Sequence, residues 1–582
     1  MTESRRLPVA ALVGSLVLLA LCASGNGVTN QFTYDDRYII QLNSSVHQLD
    51  HWWRLFTSSY WPPSWGGDGY RPLTMLFFAI EWVVGGGSPM IYHALNIALY
   101  AAAGVLVFTL ASLVLPVGWA WLAAALFAVH PVHVEAVANV VGQAELWVAV
   151  AALGVVGLYL RDRRRGALRG RTAIAIVALF AFACLTKEHA IMIPALIVAA
   201  ELILVADPRP LRVRFVEARP LALALVAVAL GFLGARSAVL ASVGFAGFRP
   251  FVPFQALRIG NTDRVLTMFG VVPEWIRLFL WPRHLSSEYA PPEIEIAQGV
   301  SIAQLPGFLI LCGILGLAIA LWRRRPAIAF GIAWICIALL PSSNFLVPAG
   351  IILAERTLFL PSVGAMIAVA GAAQWALERW PWRAPRVVLA PAAAAALLAG
   401  IVHSARRTTV WHDNDRLFNQ AIVDAPLAYR AHYMLGAWEF EHKRKRIGER
   451  EYRQALSLFP YDPFLSYNLA EQYRAVGMCE PAVPLYRWTQ ALDPRFRVSH
   501  SELAWCLLNL GDYRGARTAA LRGMERGGIV RYLRTIIAVA NRELAKEAEK
   551  KSASAPRKTH ESVQKTTRRG ASGGSDHLSK PM

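Results

Sequence analysis

Apolar and polar positions alternate along this chain on two different scales. Up to about residue 410, apolar runs of roughly 17 to 25 residues recur, the length that a hydrocarbon core about 30 Å thick demands of a spanning helix. Eleven such runs begin near residues 8, 90, 118, 138, 172, 189, 219, 306, 327, 358 and 386. They predict a polytopic, all-α membrane fold of about eleven transmembrane helices. The first run, "LPVAALVGSLVLLALCA", follows Arg5 and Arg6 as a signal peptide would, but no A-x-A cleavage site comes after it. It is therefore read as an uncleaved helix. "RPLTMLFFAIEWVVGGG" is interrupted by Glu81 and stops at a glycine triplet, which suits an interfacial helix. "VPEWIRLFLWP", over 272–282, is short enough to lie along the surface.

From about Trp411 the pattern changes to amphipathic helices of mixed charge. Leu435, Leu469 and Leu503 are separated by 34 residues each, and Pro426, Pro460 and Pro494 keep the same offset. So do the pairs Tyr452 and Tyr486, Gly477 and Gly511, and Ala482 and Ala516. That is the period of a tetratricopeptide helix pair, with each proline ending one helix before the next begins. Phe418, Ala421 and Pro426 match only the second half of a unit, so the array opens with a lone helix beside the last span. The expected organisation is a transmembrane domain over 1–410, a tetratricopeptide repeat domain over 411–545 and a basic tail over 546–582. The tail lacks aromatic residues and periodicity and reads as disordered. Repeats of this kind offer a concave surface for a peptide or protein partner.

Composition agrees with the membrane reading: 55% of residues are hydrophobic and only 17% charged. The net charge of +20 would suggest nucleic acid in a soluble protein. Here its position argues otherwise, because basic clusters at 161–171, 207–215, 321–327 and 378–386 each sit in a short gap between apolar runs. That is the positive-inside signature, so these gaps are cytoplasmic and no nucleic acid is implied. The six cysteines include no C-x-x-C pair, and no P-loop, G-x-G-x-x-G or G-x-S-x-G motif stands in a fitting context.

Alternation of the spans then places one set of polar clusters on the opposite, extracytoplasmic face. It holds Asp35 and Asp36 in "QFTYDDRYII", "HPVHVE" over 130–135, "TKEH" over 186–189, and "SSNFLVPAGIILAER" over 342–356. An adjacent acidic pair could cap a helix starting at Arg37. It could equally raise one carboxyl into the range of a proton acceptor. Arg71, in "YRPLT", suits a phosphate that it can hold with two N–H groups. His130, His133, Glu135, Gln143 and Glu145 lie at the junction of two apolar spans, where ionisable residues are costly and usually functional. His130, His133 and Glu135 offer ligand types for a divalent cation, but they match no zinc spacing. No other cofactor is called for. His93 and Asn96 could satisfy each other across helices. Lys187 with Glu188 and Glu355 with Arg356 read either as buried ion pairs or as substrate contacts.

The order "FTYDD…YRPLT…YHALN…FAVHPVHVEAVANVVGQAE…TKEH…SSNF…AERTLFLPS", followed by the repeats, resembles the transmembrane and tetratricopeptide repeat-containing O-mannosyltransferases and their bacterial relatives. These are GT-C glycosyltransferases, and the resemblance runs from about residue 30 to 525. It implies a donor such as dolichyl phosphate mannose or a bacterial polyprenyl phosphate sugar. Asp35 would then deprotonate an acceptor hydroxyl, with Asp36 orienting it or binding substrate. Arg71 and Arg356 would hold the leaving phosphate, and His130, His133 and Glu135 would line the cavity. By the same implication His93, Asn96, Glu145, Lys187, Glu188, Asn344 and Glu355 are substrate-binding candidates. One departure is visible: "GQAE" stands where a G-R-A-[DE] sequence is expected, so Gln143 replaces an arginine.

Two functions of different class follow. One is an inverting membrane glycosyltransferase acting on an acceptor protein or glycan. The other is a non-catalytic membrane-anchored scaffold that gathers partners on its repeats. The Ala- and Arg-rich composition points to a bacterial inner membrane with periplasmic repeats; an endoplasmic reticulum membrane is the alternative.

Overall fold

The computed structural model describes residues 8–62, 68–242, 257, 259–379, 383–527 and 530–554, and these are helical with no strand among them. The chain divides into two compact units, one running to Ser499 and one from His500. The first unit opens with α1 (Val9–Ser24), α2 (Pro72–Gly85), α3 (Pro89–Ala111) and the short pair α4 (Val117–Ala128) and α5 (Val134–Ala138). It continues with α6 (Gln143–Arg163), α7 (Gly170–Thr186), α8 (Ile193–Leu204), α9 (Leu211–Ser242), α10 (Asn261–Leu280), α11 (Leu305–Leu321), α12 (Pro326–Leu339), α13 (Phe359–Arg379) and α14 (Arg383–Val410).

Among the described residues, six helical segments are long and apolar enough to cross a membrane, or seven if α4 and α5, bent by 50°, form one broken span. Eleven spans were expected, and that count is not reproduced. Part of the difference lies in length. Residues 170–186 and 326–342 form apolar helices too short for the full thickness, and α8 has only 12 residues. The segment 272–282 belongs to the second half of the 20-residue α10, which buries Val271, Val272, Trp275 and Leu278.

One buried core joins α1, α3, α4, α6, α7, α8, α12 and α13. Around it α9 and α11 expose Leu223, Leu230, Leu309 and Ile319. Apolar faces of this kind on spanning helices are where lipid is the solvent. Helix α6 measures the depth of the bundle. Glu145, near its start, pairs with Lys187 at the end of α7. Arg163, at its finish, pairs with Glu201 and Asp207. At 1.5 Å per residue these two charged clusters stand about 27 Å apart. Arg214 joins the second cluster through Glu201, and Arg209 joins it through Asp207. The basic gaps thus collect at the opposite end of the bundle from Glu145 and Lys187.

The rest of the first unit is α15 (Asn414–Asp424), then α16 (Tyr429–Glu441) with α17 (Lys445–Leu458), and α18 (Pro463–Ala475) with α19 (Cys479–Leu492). Helix α20 (Arg497–Asn509) crosses into the second unit, where α21 (Tyr513–Glu525) packs on α22 (Val530–Ser554). First helices begin at 429, 463 and 497 and second helices at 445, 479 and 513, a spacing of 34 throughout. Helix α22 runs past residue 546, helped by an ion pair between Lys546 and Glu543 at 2.8 Å, and residues 555–582 lie outside the described residues.

Turns between paired helices use a left-handed residue, Gly477 at φ +80° and Gly511 at φ +79°. Lys443 occupies the same place in the first pair at φ +63°, where an L side chain costs roughly 1 kcal/mol. Lys443→Gly should therefore raise the stability of the first pair by up to about 1 kcal/mol, read as a higher thermal midpoint in detergent. A lower midpoint would contradict it.

Candidate active site

The loop after α1 folds back because Asp36 turns inward. Its Oδ1 accepts from the N–H of Val141 at 2.8 Å, and its Oδ2 accepts from Val140 at 3.1 Å and from Thr33 at 3.2 Å. Asp36 has no exposed surface. It makes no side-chain bond to the turn starting at Arg37, so the expectation that the pair caps that turn is corrected. The helix entry it serves is that of α6, whose first free N–H groups would otherwise lack acceptors. Burial pushes the Asp36 carboxyl up to about 8, and the three backbone donors act against that rise.

Asp35 faces the other way. It is half-buried, and among the described residues no group donates a hydrogen bond to its carboxylate. The charges acting on it come from four separate elements: Arg356, Arg430, Glu288 and Glu135. Burial raises its carboxyl above the ordinary range, while Arg356 and Arg430 hold the rise back.

Every other carboxylate of the polar clusters grouped with Asp35 in the sequence is already engaged. Glu135 takes the guanidinium of Arg356 and also its backbone N–H, the latter at 2.8 Å. Glu188 takes Nε of Arg71 at 2.9 Å and the N–H of Tyr70 at 3.0 Å. The Arg71 guanidinium also lies 4.3 Å from the centre of the Tyr60 ring. Glu145 takes Lys187 at 2.5 Å and His189 at 3.3 Å. Glu188 lies well below the ordinary range: burial alone would raise it, and Arg71 with the Tyr70 N–H outweighs burial. A guanidinium carries five N–H donors, so Arg71 and Arg356 keep donors for a further anion. The motifs thus meet as three ion pairs, two of them between residues more than a hundred positions apart, and among the described residues Asp35 has no such partner.

The remaining candidates build the walls. His133 donates to or accepts from Ser362 at 2.7 Å and the Tyr100 hydroxyl at 3.1 Å. His130 meets the carbonyl of Phe279 at 3.1 Å and the N–H of Val132 at 3.3 Å. All four imidazole nitrogens therefore have protein partners, and among the described residues no group of three His, Cys, Asp or Glu could hold a metal ion. His93 and Asn96 do not satisfy each other. His93 meets the carbonyl of Gln31 at 3.4 Å, and Asn96 donates to those of Val137 at 3.2 Å and Asn139 at 3.3 Å. They hold the two segments that Asp36 joins. Glu355 does not pair with Arg356; it accepts from the N–H of Ser286 at 2.6 Å and from the Tyr289 hydroxyl at 2.7 Å. Asn344, at φ +57°, closes its own loop by accepting from Ala349 and donating to Ile351. Gln143 donates to Glu81 at 3.0 Å, which gives the charge inside α2 its partner.

Residues that were not site candidates also reach the site. Tyr34, at φ +54°, donates its hydroxyl to Glu288, whose other oxygen takes Nε of Arg430 at 3.1 Å. Arg430 carries a legible sequence signal: the positions 34 and 68 residues on are Phe464 and Val498, so a charge interrupts a repeat position that is otherwise apolar. Glu288 has no such signal.

No family model matches the chain. Its curated homologues are protein O-mannosyl-transferases of the TMTC family. Protein O-mannosyl-transferase TMTC3 of Mus musculus is 26% identical over 565 residues, covering 85% of this chain and 61% of the relative. TMTC4 of Homo sapiens is 26% identical over 479 residues, covering 73% and 63%. Tmtc2 of Drosophila melanogaster is 40% identical over 170 residues, covering 28% and 18%. The chain spans about three-fifths of the length of the curated relatives it matches along most of its own. Among solved structures it is similar to the oligosaccharyltransferase AglB from Archaeoglobus fulgidus, with a TM-score of 0.42 and 14% identity over 69% of this chain and 55% of that one. It is also similar to the Sgt2 TPR domain from Aspergillus fumigatus, with a TM-score of 0.19 and 24% identity over 24% and 90%.

The two aspartates should separate in a stability measurement. Asp36→Ala leaves three N–H groups without an acceptor and should cost at least about 3 kcal/mol. Asp35→Ala removes a carboxylate to which no group donates among the described residues and whose ionised form burial disfavours, so stability should hold within about 1 kcal/mol or rise. Thermal midpoints of the purified proteins decide this, and equal losses for the two would contradict it.

Proposed function

We propose that this chain is a membrane glycosyltransferase of the GT-C type. On this reading it moves a sugar, mannose, from a polyprenyl phosphate donor to an acceptor hydroxyl of protein Ser or Thr, at the extracytoplasmic face. One observation carries the reading: among the described residues Asp35 is the one carboxylate of its polar clusters to which no group donates, and it lies in the field of Arg356, which with Arg71 also faces Lys187. The names of the homologues support the reaction class. The separation of Glu145 and Lys187 from the Arg163 cluster by the depth of α6 supports the side of the membrane.

The chemistry follows from the charges. Asp35 takes the proton of the acceptor hydroxyl as its oxygen attacks the anomeric carbon. The bond from that carbon to the donor phosphate breaks, and the electron pair leaves with the phosphate. Arg71, Lys187 and Arg356 face the negative charge that develops there, and preorganised cations at a developing charge are the largest single contribution in many such reactions. A single displacement inverts the anomeric centre. No step requires a metal, because the three cations can neutralise the leaving group. The homologous length leaves room for further domains in the relatives, so the protein acceptor rests on their names alone. The compartment is proposed to be a bacterial inner membrane with periplasmic repeats, with the endoplasmic reticulum as the alternative.

The scaffold reading would leave Asp35 without a task, although an unpaired, half-buried carboxylate is costly to keep. Purified protein with radiolabelled polyprenyl phosphate mannose and Ser- or Thr-containing acceptor peptides tests the choice. Asp35→Asn should fold and lose roughly 10²–10⁴-fold in transfer. Because burial raises Asp35, the proton acceptor is lost at a pH above the ordinary carboxylate range as the solution is acidified. The acid limb of kcat/KM should therefore lie above about pH 4. Full transfer by Asp35→Asn would overturn the assignment.

A further inference from the structure

Tyr34 is held in a strained conformation from both ends. Its φ of +54° is rare for an aromatic residue and costs roughly 1 kcal/mol or more, so the surroundings must over-determine it. Its N–H donates to Oδ1 of Asn414, the first residue of α15, at 2.7 Å. Its ring packs edge-on against Trp411 at 6.3 Å and tilted against Phe418 at 6.4 Å. Its hydroxyl donates to Glu288, which is buried and salt-bridged to Arg430 of α16. Every contact named here except Glu288 comes from beyond the last helix of the bundle, and the next residue after Tyr34 is Asp35.

These contacts do more than dock the helical array. The same face of α16 gives its backbone to the loop after α10, with the N–H of Tyr429 donating to the carbonyl of Pro291 at 3.1 Å. Arg430 is therefore fixed on its backbone side, and its guanidinium has one carboxylate partner, Glu288. Its side chain stays partly open to solvent. A positive charge so placed has two effects. It pairs with Glu288, which accepts from the Tyr34 hydroxyl, and it adds to Arg356 in the field at Asp35.

We propose that Arg430, borne by the first paired repeat helix, is a positioning residue of the transfer site: through Glu288 and Tyr34 it orients Asp35, and it supplies one of the two positive charges that face it. The repeats are then part of the catalytic unit rather than an appended binding module. This deepens the reading of Asp35 as the proton acceptor and rests on it. The groups facing Asp35 from the elements packed against it are Arg356, Arg430, Glu288, Glu135 and the hydroxyls of Tyr34, Tyr38 and Tyr60, with Asp36 beside it in the chain.

The full-length protein in detergent is compared with Arg430→Gln and Arg430→Lys by two readouts. The first is the pH midpoint at which Asp35 becomes protonated. It is followed by esterification with a diazo reagent that takes protonated carboxyls, with the labelled peptide quantified by mass spectrometry. The second is transfer from radiolabelled polyprenyl phosphate mannose. Arg430→Gln should raise the Asp35 midpoint, move the acid limb of kcat/KM to higher pH and lower kcat about tenfold or more, with KM for the donor little changed. Arg430→Lys keeps the charge and should restore the midpoint and most of kcat. An unchanged Asp35 midpoint in folded Arg430→Gln protein overturns the proposal, whether or not transfer is detected. Equal loss in both variants with a lowered thermal midpoint overturns it too, since that marks a purely structural role. If the midpoint shifts as expected while no protein shows transfer, the positioning role stands and the assignment of the reaction falls.

Discussion

The structure around this site depends on one buried carboxylate. Asp36 accepts from the N–H groups of Val140, Val141 and Thr33 and so ties the first loop to the entry of α6. That tie acts beside the contacts of His93 with Gln31 and of Asn414 with Tyr34. Three features stand around it. Asp35, the neighbouring residue, lies in the field of Arg356 and Arg430. Tyr34 reaches Glu288. Residues 139–142 are drawn against α3, where Asn96 donates to their carbonyls. Backbone hydrogen bonds to this carboxyl contribute roughly 1 kcal/mol each, and losing the acceptor would leave three donors unsatisfied.

The second organising constraint is charge pairing in a medium that punishes single charges. Glu135 with Arg356, Glu188 with Arg71 and Glu145 with Lys187 each neutralise a group that the bundle could not otherwise bury. These pairs cost little to keep and hold cations ready for a third, anionic participant. Asp35 breaks the rule. A group that departs from the surrounding pairing, at the place where four elements converge, is where chemistry is most economically assigned.

Much of this was legible in the sequence, and the reasons differ by element. The 34-residue offset of Leu435, Leu469 and Leu503 read directly as helix pairs, because a repeat must preserve the residues that pack against its neighbours. The sorting of the acidic and histidine motifs away from the arginine-rich gaps was also readable, since charge bias follows membrane orientation. The number of spans was not, because hydropathy does not distinguish a full crossing from a short apolar helix such as α7 or α8. Nor was the division of labour between Asp35 and Asp36. Adjacent residues of one type look alike in sequence, and only the path of the loop decides which side chain finds the N–H groups of Val140 and Val141. Glu288 and Tyr34 gave no pattern, whereas Arg430 interrupted an apolar repeat position and could have been noticed.

The central claim is that the unpaired carboxylate faces the reacting carbon while the paired cations hold the leaving phosphate. An experimental structure of the protein with a non-cleavable polyprenyl phosphonate sugar tests it most directly. The account predicts the phosphonate oxygens within hydrogen-bond distance of Arg71 or Arg356, and the Asp35 carboxylate within about 3–3.5 Å of where an acceptor oxygen would attack. A phosphonate bound away from these cations, or a sugar whose anomeric carbon is turned from Asp35, would contradict it.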